Sequence, residues 1–290
     1  VMVLPIGIQA RGSIEQDVRD VGDTLNFYEG HRAEKGVFAE SVPPSVDDIR
    51  EFFLKQVVTQ CDFALCMTVT STRSPIFADA TKAALGILNA YKPVRRAAGV
   101  DGPFALRVVD TRNMFSGQGA LTAEAALMMS DGRSVSEVRD RVEALTPKAH
   151  SYLVPNDLYY IRARAKKKGD RSVGLMRYAL GTALNIKPIL SCMNGETDTV
   201  ATERGFDPAA ERVFNHTRDR ILAGLLGQHV CISYGGPLDK LSSMPGYAGM
   251  AQAAELQGVT LVTSVMSMTA GVNVGEGALS VGFLAEPHPI

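Results

Sequence analysis

Tryptophan is absent from the 290-residue sequence, cysteine occurs four times, and neither charge is in excess, with 30 basic against 31 acidic residues. This balance gives no electrostatic basis for binding nucleic acid or an anionic membrane surface. The longest basic run, residues 162–168, is more typical of a solvated helix face. No apolar run is long enough to span a bilayer, and no secretion signal opens the chain. We therefore expect a cytoplasmic protein without a membrane span.

Signatures of common enzyme and metal sites are missing as well. The cysteines lie on or beside apolar runs and show no C-x-x-C or paired Cys/His spacing. The five histidines are scattered, and neither a G-x-S-x-G nor an H-E-x-x-H motif occurs. We predict no catalytic residue, no metal ligand and no cofactor, so that binding is favoured over catalysis.

The polar segment 68–80, TVTSTRSPIFADA, follows an apolar run typical of a buried parallel strand and precedes a helical pattern. Its hydroxyl residues include Ser71, Thr72 and Ser74. They fall at the carboxyl end of the strand, where open α/β sheets bind ligands, and beside a helix N-terminus, which attracts anions. This corner therefore suits a carboxylate or a phosphate. Ser74 before Pro75 is equally an ordinary helix start, so a purely capping role for Ser74 stays open.

Strand and helix patterns alternate through the first half, which predicts a parallel sheet covered on both faces. It begins with a strand-like run over residues 1–8, and a polar, irregular stretch follows. The run Ser116-Gly117-Gln118-Gly119 indicates close helix packing rather than a nucleotide loop, since it lacks a third glycine and the P-loop lysine.

From about residue 150 the pattern changes, with a hairpin predicted at Asn194-Gly195 and a glycine-rich turn over 270–278 entering a final strand. We predict an α/β protein of two domains with a ligand between them. Residues 1–149 form a parallel-sheet, Rossmann-like domain that carries the polar corner, and residues 150–290 form a mixed-sheet α/β domain.

The order and spacing of several short motifs are specific, although each motif alone is weak. They are Ser41-x-Pro43, Ser71-x-x-Ser74, Asp110-Thr111, Ile186-Lys187-Pro188-Ile189-Leu190, Asn194-Gly195-Glu196, Arg204-Gly205 and Gly271-x-Asn273-x-Gly275-x-Gly277. In this succession the chain resembles, over nearly its whole length, the DegV family of bacterial fatty-acid-binding proteins.

The resemblance implies that a long-chain fatty acid is buried between two domains, with its carboxylate at the mouth, and is delivered to a fatty acid kinase. It leaves the length and saturation of the acyl chain open. The positions that correspond to the head-group site of the family are Ser41, Ser74 and Asn273, with Ser71, Thr72 and Gly275 as neighbours. Arg204 corresponds to a family arginine that engages the partner kinase.

Three departures from the family pattern concern the ligand. Pro75 replaces a glycine and removes a backbone donor, Glu40 replaces a threonine, and Asn273 replaces a histidine. In addition, the family's opening Asp-Ser-Thr strand has no counterpart in this chain. Three hypotheses follow: a fatty-acid carrier, a binder of another amphipathic ligand on the same scaffold, or an enzyme or interaction module that has lost fatty-acid binding.

Overall fold

A computed structural model describes residues 1–10, 12–32, 39–161 and 185–290. Its strands are β1 (Ile6–Ala10), β2 (Ser13–Asp17), β3 (Ala39–Val42), β4 (Phe63–Thr68), β5 (Ala105–Asp110), β6 (Ala149–Val154), β7 (Ile186–Met193), β8 (Glu196–Arg204), β9 (His229–Tyr234), β10 (Thr260–Val265) and β11 (Leu279–Leu284).

The α-helices of the described residues are α1 (Val21–Glu29), α2 (Val46–Phe52), α3 (Ile76–Gly86), α4 (Tyr91–Ala97), α5 (Phe115–Ser130), α6 (Val135–Leu145), α7 (Phe206–Ala223), α8 (Tyr247–Gln257) and α9 (Met268–Val274). A π-helical turn, Phe53–Val57, extends α2, and 3-10 turns occupy Thr146–Lys148 and Leu238–Ser243. The basic run 162–168, predicted as a solvated helix face, lies outside the described residues. The protein is therefore α/β, as predicted.

The first strands form an antiparallel sheet in the order β2-β1-β3, in which Ser41 pairs with Ile8. The sequence predicted one strand over 1–8 and an irregular stretch after it, but the strand begins at Ile6 and a second one follows at once. Gly12, with a φ of 82°, lies in the reversal between β1 and β2. Glycine tolerates this conformation without strain, and the turn places β2 beside β1.

Strands β4 and β5 pair in parallel, as the alternating pattern predicted, while β1 stays apart from them in its own antiparallel sheet. Helices α2 and α3 pack beside this pair through a core that includes Ile49, Ile76 and Ala80. The pair ends at Thr68 and Asp110, so the polar corner after Thr68 stands beside the end of β5.

The large sheet has six strands in the order β10-β9-β11-β6-β7-β8, with β9 and β10 parallel and the other neighbours antiparallel. Helices α7 and α8 bury one of its faces, where Val213, Phe214 and Met250 are almost fully buried. Helix α5 of the first half packs on strands β6, β9 and β11. Helix α5 of the first half thus packs on a sheet that is built from the second half. The division between two domains at 149/150 stays a prediction.

Close packing explains the glycines of α5, as predicted for the Ser116–Gly119 run. The backbone of Ser116 and Gly117 lies so near Gly282 of β11 that a methyl group on Gly282 would overlap it. A methyl group on Gly119 would contact Cys231 of β9 at 3.4 Å. Helix and sheet therefore approach closely only because small residues face each other.

The hairpin predicted at Asn194-Gly195 joins β7 and β8, and both turn residues have positive φ, 49° and 86°. The glycine-rich run differs from the prediction, because its first part is helix α9 and only the residues after Val274 form a turn. Gly271 and the β-branched valines of this stretch are weak helix formers, so propensity did not indicate the helix. None of the described helices has the length and apolar character needed to cross a bilayer.

Candidate functional site

Ser41 and Asn273 meet where β3 passes α9. The Nδ2 of Asn273 lies 3.5 Å from the Oγ of Ser41, and it also donates to the carbonyl oxygen of Thr269 at 2.7 Å. Both side chains are half-buried. Because the Ser41 oxygen accepts from the amide, its own O–H remains available to donate to an anion. The structure thus brings together two of the three predicted head-group residues.

The position of α9 is set by Asp17, which sequence reasoning missed. The Asp17 side chain is 2% exposed, and its Oδ2 accepts from the backbone N–H of Thr269 at 2.8 Å and from its hydroxyl at 2.6 Å. The Oγ of Ser267 accepts from Ala270 N–H at 3.1 Å. The amino end of α9 is therefore already capped, and Asn273 stands at the carboxyl end, where the helix dipole is negative. A carboxylate at Asn273 would be held by side chains and not by the dipole.

Backbone donors of the polar corner are committed to internal hydrogen bonds. The N–H of Ser71 points to the carboxylate of Asp110 at 3.2 Å, and the N–H of Thr70 donates to Asn113 O at 2.9 Å. The N–H of Thr72 lies 3.4 Å from the Thr70 hydroxyl oxygen. These strand-end amides thus serve the fold. What the corner offers to a ligand is its hydroxyl groups.

Ser74 caps helix α3. Its Oγ accepts from the N–H of Ile76 at 3.3 Å, and Pro75 has helical angles, with φ −72° and ψ −8°. The capping role that the sequence left open is therefore real. A capping hydroxyl still carries its own proton for donation, so this contact is compatible with a second role at a head group.

Thr72 joins the corner to the hairpin of the large sheet. Its hydroxyl donates to Gly195 O at 2.8 Å, and Gly195 N–H donates to Arg112 O at 2.6 Å. The Arg112 guanidinium donates to the Asn194 side-chain oxygen at 3.1 Å. Thr72 was predicted as a neighbour of the head group, but its hydroxyl proton is used in a hydrogen bond between the first and the second half of the chain. The sequence predicted the turn at Asn194-Gly195 but not its contacts with Thr72 and Arg112.

Gly275 closes α9 with a φ of 88°, and its N–H donates to Gly271 O at 2.8 Å. A methyl group on Gly275 would overlap the ring of Tyr160, and one on Gly271 would lie 2.6 Å from the hydroxyl of Tyr28. Glycine at both positions therefore lets aromatic rings pack directly on the helix backbone. The structure therefore gives Gly275 a packing role against Tyr160, two residues after Asn273 in sequence.

The chain has relatives among known proteins. A family model described as "Uncharacterised protein, DegV family" matches residues 1–286. A DegV domain-containing protein of Xanthomonas axonopodis pv. citri is 49% identical over 288 residues, which cover 99% of this chain and 92% of that protein. The chain belongs to the DegV family. A DegV domain-containing protein of Xanthomonas campestris pv. campestris is likewise 49% identical, with the same coverage.

Solved structures similar to this DegV protein share its fold at low sequence identity. One, from Eubacterium ventriosum, is described as a stearic-acid-binding protein; it has a TM-score of 0.75 at 17% identity and covers 97% of this chain and 90% of its own. Another is DegV of Bacillus subtilis, described as a fatty-acid-binding protein, with a TM-score of 0.71 at 16% identity, covering 98% and 91% of the two chains. These descriptions name lipid binders and no enzyme.

In this DegV protein, Arg204 is exposed at the end of β8, directly before Gly205, whose φ of 104° turns the chain into α7. The adjacent Glu203 pairs with Arg212 at 2.8 Å. An exposed guanidinium on a rigid strand end is suited to contact a partner protein.

An open groove of about 700 Å³ lies between α2 and α4 of this DegV protein. Leu54, Val94, Ala97 and Ala98 contribute its apolar surface. It shares no lining residue with the predicted head-group set, so we do not assign the ligand to it. A buried apolar cluster begins next to Asn273 in sequence. It consists of Leu153, Leu190, Met266, Val274 and Ala278, with Phe115, Ile161 and Ala270 packed against it.

Proposed function

We propose that this DegV protein binds a long-chain fatty acid between its segments 1–149 and 150–290 and holds the carboxylate at Ser41 and Asn273. The observation that carries the proposal is the pairing of these two side chains, 232 residues apart in sequence, beside a buried apolar cluster. Polar donors next to an apolar interior are what an amphipathic acid requires. The solved relatives described as fatty-acid-binding proteins support the same ligand class.

The head group would be held by the Ser41 and Ser74 hydroxyls and by one N–H of the Asn273 amide. The other Asn273 N–H donates to Thr269 O, so the N–H that makes the long, 3.5 Å contact with Ser41 would turn to the carboxylate when the ligand binds. Hydrogen bonds to an ionised carboxylate are about twice as strong as neutral ones. Ser71 contributes its exposed hydroxyl at the rim, while Thr72 and Gly275 support the site through the hairpin and Tyr160.

The acyl chain would enter the cluster of Leu153, Leu190, Met266, Val274 and Ala278. Val274 follows Asn273 directly in α9 and belongs to this cluster. The partly buried Phe115 belongs to the first half, and Leu153 and Leu190 belong to strands of the second half, which supports a position of the acyl chain between the two segments. Methionine adapts readily to a flexible chain because its side chain is unbranched and polarizable.

Delivery to a fatty acid kinase in the cytoplasm is the second part of the proposal, with Arg204 as the contact residue. Its exposure at a strand end supports this role. Arg204→Ala should keep lipid affinity and slow phosphorylation of the bound acid by a cognate kinase. Arg212→Ala, which removes an exposed pairing partner of Glu203 nearby, is the matched control and should leave both unchanged. A loss of lipid affinity in Arg204→Ala would place the arginine in the pocket.

A second candidate, another amphipathic ligand, is favoured by one observation. Glu276 is exposed next to Gly275, and its carboxylate lies 3.6 Å from the ring of His31. A carboxylate at the mouth repels a second carboxylate, so it suits a neutral or zwitterionic head group better. Loss of ligand binding altogether is the third hypothesis.

Mass spectrometry of lipid extracted from the purified protein separates these hypotheses. A stoichiometric saturated or monounsaturated fatty acid supports the proposal, and its amount should fall in the double variant Ser41→Ala/Asn273→Leu. Another lipid supports the second candidate. If the protein yields no lipid and also fails to bind added fatty acid, the proposal is wrong.

A further inference from the structure

Three histidines that are scattered in sequence meet on the α7 side of the large sheet. His150 lies on β6, His216 on α7, and His288 follows β11. The rings of His150 and His288 stack with centroids 4.4 Å apart, and the Nε2 atoms of His216 and His288 are 3.0 Å apart. Because 72 residues separate His216 from His288, no local spacing indicated this pair.

Hydrogen bonding defines which nitrogen of His288 faces His216. The Nδ1 of His288 lies 2.7 Å from the carbonyl oxygen of Glu286, which can only accept, so Nδ1 carries the proton. The neutral ring then presents the lone pair of Nε2 towards His216. A backbone carbonyl that fixes the far nitrogen in this way is the usual outer-shell arrangement of a metal-binding histidine.

The spacing of the two Nε2 atoms also fits a shared metal ion. With metal–nitrogen bonds of about 2.0 to 2.1 Å, two nitrogens on one metal are about 2.9 Å apart at a right angle and about 3.4 Å apart in a tetrahedron. The observed 3.0 Å falls within this interval. The hydroxyl of Tyr152 lies 3.4 Å from the same His288 nitrogen and supplies a third donor atom on this side.

We propose that His216 and His288 bind a divalent transition-metal ion through their Nε2 atoms, with Tyr152 and water completing its coordination. Imidazole ligands select Zn²⁺, Cu²⁺ or Ni²⁺ over Mg²⁺ and Ca²⁺, which prefer oxygen. Among the described residues, no three His, Cys, Asp or Glu side chains are grouped as a metal site. His150 is not a ligand in this arrangement, because its Nε2 lies 3.2 Å from Ala285 O, and the half-buried positions of His216 and His288 leave room for water.

The charges around the pair set its strength. Because His288 carries its proton on Nδ1, the proton between the two Nε2 atoms belongs to His216 and has to move to its Nδ1 when a metal binds. Arg220, one turn further along α7, opposes a second cation, while Asp219 favours one. We expect binding weaker than at a four-ligand zinc site, and tighter binding once the Arg220 charge is removed.

A bound metal would tie the C-terminal segment to α7. This segment is already attached to the start of β6, because Ala285 N–H donates to Lys148 O at 3.0 Å and Glu286 pairs with Lys148 at 2.6 Å. The metal would add a link from His288 to His216 on the neighbouring helix. It would therefore stabilise the closing strand β11 against detachment of its end, independently of any lipid.

Isothermal titration of the metal-stripped protein with Zn²⁺ at pH 7 tests the proposal. We expect one saturable site and no binding of Mg²⁺. His216→Gln and His288→Gln should each weaken Zn²⁺ binding at least tenfold, and Arg220→Gln should tighten it several-fold. His31→Gln, which removes an exposed histidine near Glu276, is the matched control and should leave the affinity unchanged.

Electron paramagnetic resonance of added Cu²⁺ gives a readout that does not depend on stability. Two nitrogen ligands are expected in the wild type and one in His288→Gln. If the wild type takes up no Zn²⁺, or if both glutamine variants bind it as the wild type does, the two histidines form only a hydrogen-bonded pair and the proposal is overturned.

Discussion

The hydroxyl of Thr72 donates a hydrogen bond to the carbonyl oxygen of Gly195 at 2.8 Å, across 123 residues of sequence. This contact joins the polar corner after β4 to the turn between β7 and β8. It therefore fixes the corner, and Ser74 within it, relative to the large sheet. The geometry of the proposed mouth depends on this contact as well as on the residues that would touch a ligand.

Replacing Thr72 by valine removes the donor and keeps the shape of the side chain. We expect a loss of about 0.5 to 1 kcal/mol in the free energy of unfolding, since the bond is solvent-exposed. Urea unfolding measures this. Ser71→Ala is the control, because Ser71 bonds Asp110 through its backbone N–H and should keep its stability. Equal stability of Thr72→Val and wild type would show that the contact does not form in solution.

Asp17→Ala removes the buried carboxylate that caps α9 at Thr269. Hydrogen bonds to a charged group contribute about 1.5 to 3 kcal/mol, so we expect a loss of that size in unfolding free energy together with weaker lipid binding, because Asn273 shifts with the helix. Asp20→Ala removes a cap on α1 and serves as the control. It should cost about 1 kcal/mol without changing lipid affinity. Equal effects on lipid affinity in both variants would contradict the role given to Asp17.

Ser74→Ala separates capping from ligand binding. Loss of the cap should lower the free energy of unfolding by about 1 kcal/mol in either case. If the hydroxyl also contacts the carboxylate, losing that contact should weaken binding by about a further 1 to 3 kcal/mol. Ser134→Ala removes the equivalent cap of α6, away from the proposed mouth, and should lower stability alone. Thermal melts with and without ligand distinguish the two roles. If the ligand raises the melting temperature of Ser74→Ala as much as that of the wild type, Ser74 has only the capping role.

Asn273 cannot change its charge, so its own contribution to fatty-acid binding should be flat between about pH 6 and 8 once the titration of the ligand is subtracted. A histidine there gains a proton as the pH falls through about 6.5 and would then attract the carboxylate. Asn273→His should therefore bind more tightly on the acid side. Isothermal titration with a soluble medium-chain acid measures both profiles. If Asn273→His has the same pH profile as the wild type, residue 273 does not face the head group.

Local chemistry could be predicted from the sequence wherever the interacting residues are neighbours. The hairpin at Asn194-Gly195 follows because few residues adopt two successive positive φ values. The close packing of α5 was expected from its small residues, and Gly117 indeed lies beside Gly282 of β11 and Gly119 beside Cys231 of β9. In both cases the restriction acts on the backbone of the segment itself.

Contacts between distant segments could not be predicted in this way. Asp17 and Thr269 are 252 residues apart, and neither has a spacing that indicates the other. The sequence likewise does not show that Asp110 and Asn113 accept from the backbone N–H groups of Ser71 and Thr70. The meeting of Ser41 with Asn273 was expected only from the family resemblance, which supplies the tertiary arrangement that spacing lacks.

The most direct test of the account compares a long-chain fatty acid with its methyl ester, which has the same tail and no charge. The wild type should bind the acid about tenfold or more tightly than the ester, because charge-assisted hydrogen bonds to Ser41 and Asn273 form only with the carboxylate. In Ser41→Ala/Asn273→Leu this preference should disappear while affinity for the ester persists. Equal binding of acid and ester by the wild type, or a preference kept by the double variant, would contradict the proposed head-group site.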